Sequence, residues 1–64
     1  MGKPVFITVE LPEQDIAQAL ANYFKRVGWH DIRNNAVDDD EAFEIRDGLA
    51  LLSGALQRDG YTPR

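Results

Sequence analysis

Cysteine is absent from the sequence, and that absence removes disulfides, thiolate metal sites, iron–sulfur clusters and a cysteine nucleophile together. A single histidine, His30, argues against a self-contained zinc site, and no glycine-rich phosphate loop is present. Long apolar runs are missing too. The amino-terminal run Val5–Val9 ends at Glu10 and Pro12, too short and too early for a signal-peptide hydrophobic region or a membrane span. A cytoplasmic protein without membrane contact is therefore expected. With 64 residues there is room for one small domain over 1–64 and for no linker or inserted catalytic unit. At this size apolar burial and an ordering cost of about 1.5 kcal/mol per residue nearly cancel, and short chains lean on a disulfide, a metal or a partner subunit. With the first two removed, self-association remains, and a homodimer is expected. The composition, 44% hydrophobic and 28% charged, is that of a globular protein; it points away from catalysis and asks for no cofactor.

The net charge of −4 is unevenly spread. Asp38, Asp39, Asp40, Glu41, Glu44 and Asp47 face only Arg46 within ten residues, while the other fifty-four residues hold five acids and six bases. Such a segment repels nucleic acid and anionic lipid and attracts basic partners. Direct binding of nucleic acid is accordingly not expected.

Three structured segments are expected, in the order strand, helix, helix. Val5, Phe6, Ile7, Thr8 and Val9 are rich in β-branched and aromatic residues between Pro4 and Pro12, the pattern of a short strand over about 4–10. A lone strand cannot satisfy its backbone, so a second copy would supply the pairing edge. Ile16, Leu20, Tyr23 or Phe24, and Val27 recur at helical spacing after Pro12, predicting a helix over about 12–27 that Gly28 ends. Residues 28–37 lack a period and contain Asn34-Asn35, which reads as a loop pinned by Trp29, Ile32 and Val37. Asp38 with Glu41 is compatible with a capping box opening a second helix over about 38–59, its stripe being Ala42, Ile45, Leu49, Leu52 and Leu56. Gly60 stands at its end. Gly48 and Gly54 in that helix would each cost about 1 kcal/mol relative to alanine; close approach of another helix near Ala50 and Gly54 is the expected compensation, the alternative being that both are tolerated surface residues. The tail 60–64 has no helix or strand pattern and is either packed by Tyr61 against the first helix, the favoured reading, or a short exposed peptide.

Asp40, Glu44 and Asp47 fall at i, i+4 and i+7, one face of that second helix, with neighbours about 5–6 Å apart. That is not far from the spacing of successive phosphates, so this row, with Asp39 beside it, could imitate a nucleic-acid backbone. Capping and dipole complementarity account for Asp38 to Glu41 but not for Glu44 and Asp47, which lie beyond the first turn. A calcium loop counted from Asp38 fails, since its fifth and sixth positions are Ala42 and Phe43. No apolar surroundings mark any of these carboxylates for acid–base work. His30 has no serine or cysteine nucleophile nearby in sequence and reads as a structural histidine. Lys25, Arg26, Trp29 and Arg33 could form a basic aromatic patch or merely complement the end of the first helix.

The order of elements, with Ile7-Thr8-Val9-Glu10-Leu11-Pro12-Glu13, resembles ribbon-helix-helix repressors. That resemblance implies an α+β fold, a β-α-α subunit and a homodimer joined by an antiparallel intersubunit strand pair. It does not extend to the base-reading residues: neither Phe6, Thr8 and Glu10 nor Val5, Ile7 and Val9 suits a base-reading face. A second resemblance spans more of the chain. Lys25-Arg26-Val27-Gly28-Trp29, Ala36-Val37-Asp38-Asp39-Asp40-Glu41-Ala42-Phe43, Ala55-Leu56 and the ending Gly60-Tyr61-Thr62-Pro63-Arg64 look like a family of short phage and prophage proteins of unassigned function. It implies a bacterial virus or prophage as source and supplies no activity.

The function expected from these readings is non-enzymatic. A phage-encoded homodimer would bind and inhibit a host nucleic-acid-handling enzyme, such as DNA gyrase or a CRISPR effector, through Asp39, Asp40, Glu44 and Asp47. The alternative is a ribbon-helix-helix DNA-binding regulator, and a third reading is a structural or packaging accessory.

Overall fold

The computed structural model describes residues 2–64 as three helices: α1 Gln14–Arg26, α2 Trp29–Asn34 and α3 Asp39–Arg58. Residues 2–11 precede α1 without regular secondary structure and without a strand partner. The expected α+β subunit is thereby corrected. Among the described residues there is no sheet, and Val5, Phe6, Ile7, Thr8 and Val9 form no strand pair. The physical reason is plain: β propensity favours an extended backbone, but a strand exists only through a ladder, and no second segment of this chain provides one. The strand-paired ribbon-helix-helix assembly falls with it.

Helix α1 carries Asp15 in its first turn and Lys25 and Arg26 in its last, each sign where the helix dipole favours it. The Val27 N–H donates to the Tyr23 carbonyl at 2.9 Å, and Gly28 then continues extended into α2. The segment expected to be a loop is thus partly helical. At the start of α2 the Ile32 N–H donates to the Gly28 carbonyl at 3.2 Å, and the Asp31 carboxylate accepts from the Gly28 N–H at 3.4 Å. Ile32 is buried, whereas Val37 is exposed and pins nothing.

The two long helices pack antiparallel. Gln14 and Ala17 of α1 share a cleft with Leu56 and Asp59 near the end of α3, and α3 packs against both α1 and α2. The fully shielded interior is small: among the described residues Ala17, Ala21, Ile32 and Ala42 are buried, and no large side chain is completely enclosed. Leu20, Phe24, Ile45, Leu49 and Leu56 flank it half-buried, while Ile16 and Leu52, expected on the packing faces, are exposed.

Helix α3 ends in a Schellman reversal. Gly60, at φ 98°, lets its N–H donate to the Gln57 carbonyl at 3.0 Å and the Tyr61 N–H to the Leu56 carbonyl at 2.9 Å. The turn sends the tail back along α1. Gln18 Nε2 donates to the Thr62 carbonyl at 2.7 Å, and the Arg64 N–H donates to Asn22 Oδ1 at 2.8 Å. The tail is held by polar side chains of α1 as well as by half-buried Tyr61.

Candidate protein-interaction surface

The beginning of α3 consumes half of the acidic segment. Asp38 is the N-cap, its carboxylate accepting from the Glu41 N–H at 2.9 Å, and Glu41 reaches back to accept from the Val37 N–H at 3.0 Å. The cap is therefore one-sided: Asp38 satisfies an N–H that the helix start leaves unpaired, while Glu41 reaches past the N-cap to the Val37 N–H and not to that of Asp38, so the expected capping box is only half formed. Arg33 of α2 closes the connection: its Nε donates to Asp39 at 2.6 Å and its Nη1 to the Ala36 carbonyl at 3.2 Å. Asp39, expected on the partner-binding face, is therefore partnered from within.

Asp40, Glu44 and Asp47 stand differently. By the helical period they lie within about 40° of a common direction, on the side of α3 away from Ala42, Ile45 and Leu49, and all three are exposed. Asp40 and Glu44 have no ion pair among the described residues. Asp47 lies 3.5 Å from Arg46 Nη2, an exposed contact of the kind worth about 0–1 kcal/mol. The row expected from the spacing is thus present, reduced to two free carboxylates and one loosely paired.

Beside it lies a cluster that the sequence reading missed. The Trp29 and Phe43 rings sit 4.8 Å apart between centroids, tilted by 34°. The Arg46 guanidinium lies 5.1 Å from the Phe43 centroid and 6.0 Å from that of Trp29. Both rings remain exposed. Phe43 and Arg46 stand at i and i+3, a spacing legible in the sequence; what was not legible is that α2 would bring Trp29 over them. The basic aromatic grouping of Lys25, Arg26, Trp29 and Arg33 does not assemble as a unit, because Arg33 turns to Asp39 and the cation over Trp29 is Arg46. His30 is exposed on α2, 3.2 Å from Asn34, and anchors no core.

Stacked aromatics with an arginine are the side chains that dominate protein–protein hot spots, because they offer large rigid area at small ordering cost. Here they lie next to a row of carboxylates, so one exposed face combines apolar area with negative charge. No group of three His, Asp or Glu side chains among the described residues could hold a metal ion, and no helix among them is long and apolar enough to cross a membrane.

The class defined by this geometry is a small all-helical unit with little enclosed core and a mixed aromatic and acidic face. The chain belongs to a family of unknown function, DUF7706, whose model matches residues 1–64. No curated protein matches it, and no solved structure does.

Proposed function

We propose that this chain is a non-enzymatic binding module that docks on a basic protein surface, with Trp29, Phe43 and Arg46 as the anchor and Asp40, Glu44 and Asp47 as the charged flank. The observation that carries the reading is the exposed Trp29–Phe43–Arg46 stack adjoining Asp40 and Glu44, which have no ion pair among the described residues, and Asp47, which is only loosely paired with Arg46. The carboxylates speed and orient encounter with a positive surface, and the aromatic stack supplies the desolvated contact that holds it. The partner class that suits a row of carboxylates at nearly phosphate-like spacing is an enzyme with a nucleic-acid groove. Occupying that groove inhibits the enzyme. On the resemblance to short phage and prophage proteins, the setting is the bacterial cytoplasm and the partner a host enzyme. A ribbon-helix-helix regulator would need a strand pair that this fold lacks.

The test uses the full chain immobilised and exposed to a bacterial lysate at low salt, beside the triple variant Asp40→Asn, Glu44→Gln, Asp47→Asn and the variant Phe43→Ala. The reading expects capture of a nucleic-acid-binding enzyme that duplex DNA displaces, that weakens steeply between about 50 and 200 mM salt, and that both variants lose while keeping their helical circular dichroism. Capture indifferent to both variants, or a salt-sensitive gel shift of duplex DNA by the chain itself, overturns it.

A further inference from the structure

The chain exposes more surface than its mass warrants. Its accessible area is 5524 Å², whereas a folded monomer of 7.2 kDa is expected to expose about 4,100 Å². The excess, about 1,400 Å², exceeds the roughly 800 Å² that each partner hides in a stable interface. It also has an address. Val5, Phe6, Ile7 and Val9, on the amino-terminal arm, are 81%, 93%, 79% and 68% exposed; Val9 borders a cleft with Leu56 and Tyr61, and the other three find no seat on their own molecule. The same chain carries an open groove of about 460 Å³ between its long helices, lined by Phe24, Val27, Ile32, Leu49, Ala50 and Gly54 among others. Its floor is low because Gly54 presents no side chain, and a Cβ there would meet only the tip of Arg58 at 3.7 Å.

Arm and groove agree in scale. The groove's lining on α3 runs from Arg46 to Gln57, about 17 Å, the length of about five extended residues such as Val5–Val9. The arm leaves where Val9 and Leu11 meet Leu56 and Tyr61, at the carboxyl-terminal end of α3. We propose that two copies of this chain close one another by exchanging arms, each arm lying in the groove between α1 and α3 of the other. A twofold arrangement of this kind uses one arm and one groove from each copy, so both unpartnered surfaces are covered by a single symmetric contact and no second species is required. No strand pairs with its twin in this assembly. Asp40, Glu44 and Asp47 do not line the groove, whereas Arg46 does, so a seated arm borders the Trp29–Phe43–Arg46 cluster.

Sedimentation of the full chain between about 1 and 500 µM tests this, alone and with two variants. Phe6→Glu with Ile7→Glu removes the arm's apolar contacts, and Ala50→Arg, at an exposed helical site, blocks the groove. Wild type is expected to sediment as a dimer, and each variant to weaken the dimer by about a hundredfold or more. An equimolar mixture of the two variants should dimerise more tightly than either variant alone and less tightly than wild type, because the mixed pair keeps one of the two arm–groove contacts. A monomeric wild type, a dimer indifferent to Ala50→Arg, or a mixture that dimerises no more tightly than either variant alone overturns the proposal; the second of these outcomes is what arm-to-arm pairing or another partner face would give. Should Ala50→Arg lose its helical signal, a photo-crosslinking benzoylphenylalanine at position 6 decides. Attachment to the 49–57 peptide of an isotopically distinguished second copy is expected, and attachment to residues 2–10 or within the same copy refutes exchange.

Discussion

Alanine, more than leucine, sits at the centre of this molecule. Ala17 and Ala21 on α1 and Ala42 on α3 are buried, because side chains this short allow helix backbones to approach while longer neighbours wrap around the contact. A reading that ranks positions by hydrophobic size puts Ile16 and Tyr23 among the packing residues; the structure turns both outward and keeps Leu20 and Phe24. The carboxyl end of α3 was easier to read, since Gly60 is the residue a left-handed turn wants. At φ 98° a Cβ is strained although the space around it is open. Gly60→Ala should therefore cost about 1 kcal/mol, which for a chain of this length lowers the melting temperature by about 4–8 °C. The strain acts through the backbone and not through contacts, so Gly48→Ala, whose added Cβ meets nothing within 4 Å, should instead raise helix stability by roughly the glycine penalty of up to 1 kcal/mol. Thermal melts of the two variants decide; equal effects of one sign would contradict the argument.

At the scale of elements, α1 and α3 were legible because each has an apolar period, and charged or capping residues mark their ends. Helix α2 was not: six residues are fewer than two turns, no period can be seen in so few, and Asn34-Asn35 carries a turn signal that the helix simply runs up to. The arm was misread for the opposite reason, its local preference being clear while the partner that would make it a strand is missing from the chain. The acidic run was half legible. Spacing found the row of Asp40, Glu44 and Asp47 but could not foresee that Arg33 would take Asp39. The division of labour within the run makes a prediction at this scale. Asp38→Ala removes the cap and should cost about 1 kcal/mol of stability, because the Glu41 N–H loses its acceptor. Asp40→Asn, in the same turn but accepting no hydrogen bond from the described residues, gives up its interaction with the helix dipole and relieves its i,i+4 repulsion with Glu44, two opposed effects on the order of a few tenths of a kcal/mol each, and should leave the melting temperature within about 2 °C. Loss of stability in both would mean that the run serves the helix start alone.

For the whole molecule, the small enclosed core and the large exposed surface bear on one quantity, the dependence of stability on concentration. A fold of 64 residues without a disulfide, with four buried apolar residues of which three are alanine, has little to set against its ordering entropy. If a second copy supplies the missing burial, unfolding is coupled to dissociation, and each tenfold rise in protein concentration adds about 1.4 kcal/mol per dimer. Shared between two chains, that corresponds to a rise of about 3–6 °C in melting temperature for every decade of concentration. Deleting residues 2–10 removes four exposed apolar side chains without touching any helix, so the truncated chain should lose this concentration dependence and melt at or below the lowest value seen for the full chain. Differential scanning calorimetry of both chains over two decades of concentration provides the measurement. A full-length melting temperature that does not move would mean that the monomer is complete as it stands. In that case the exposed arm would not be half of an interface between copies.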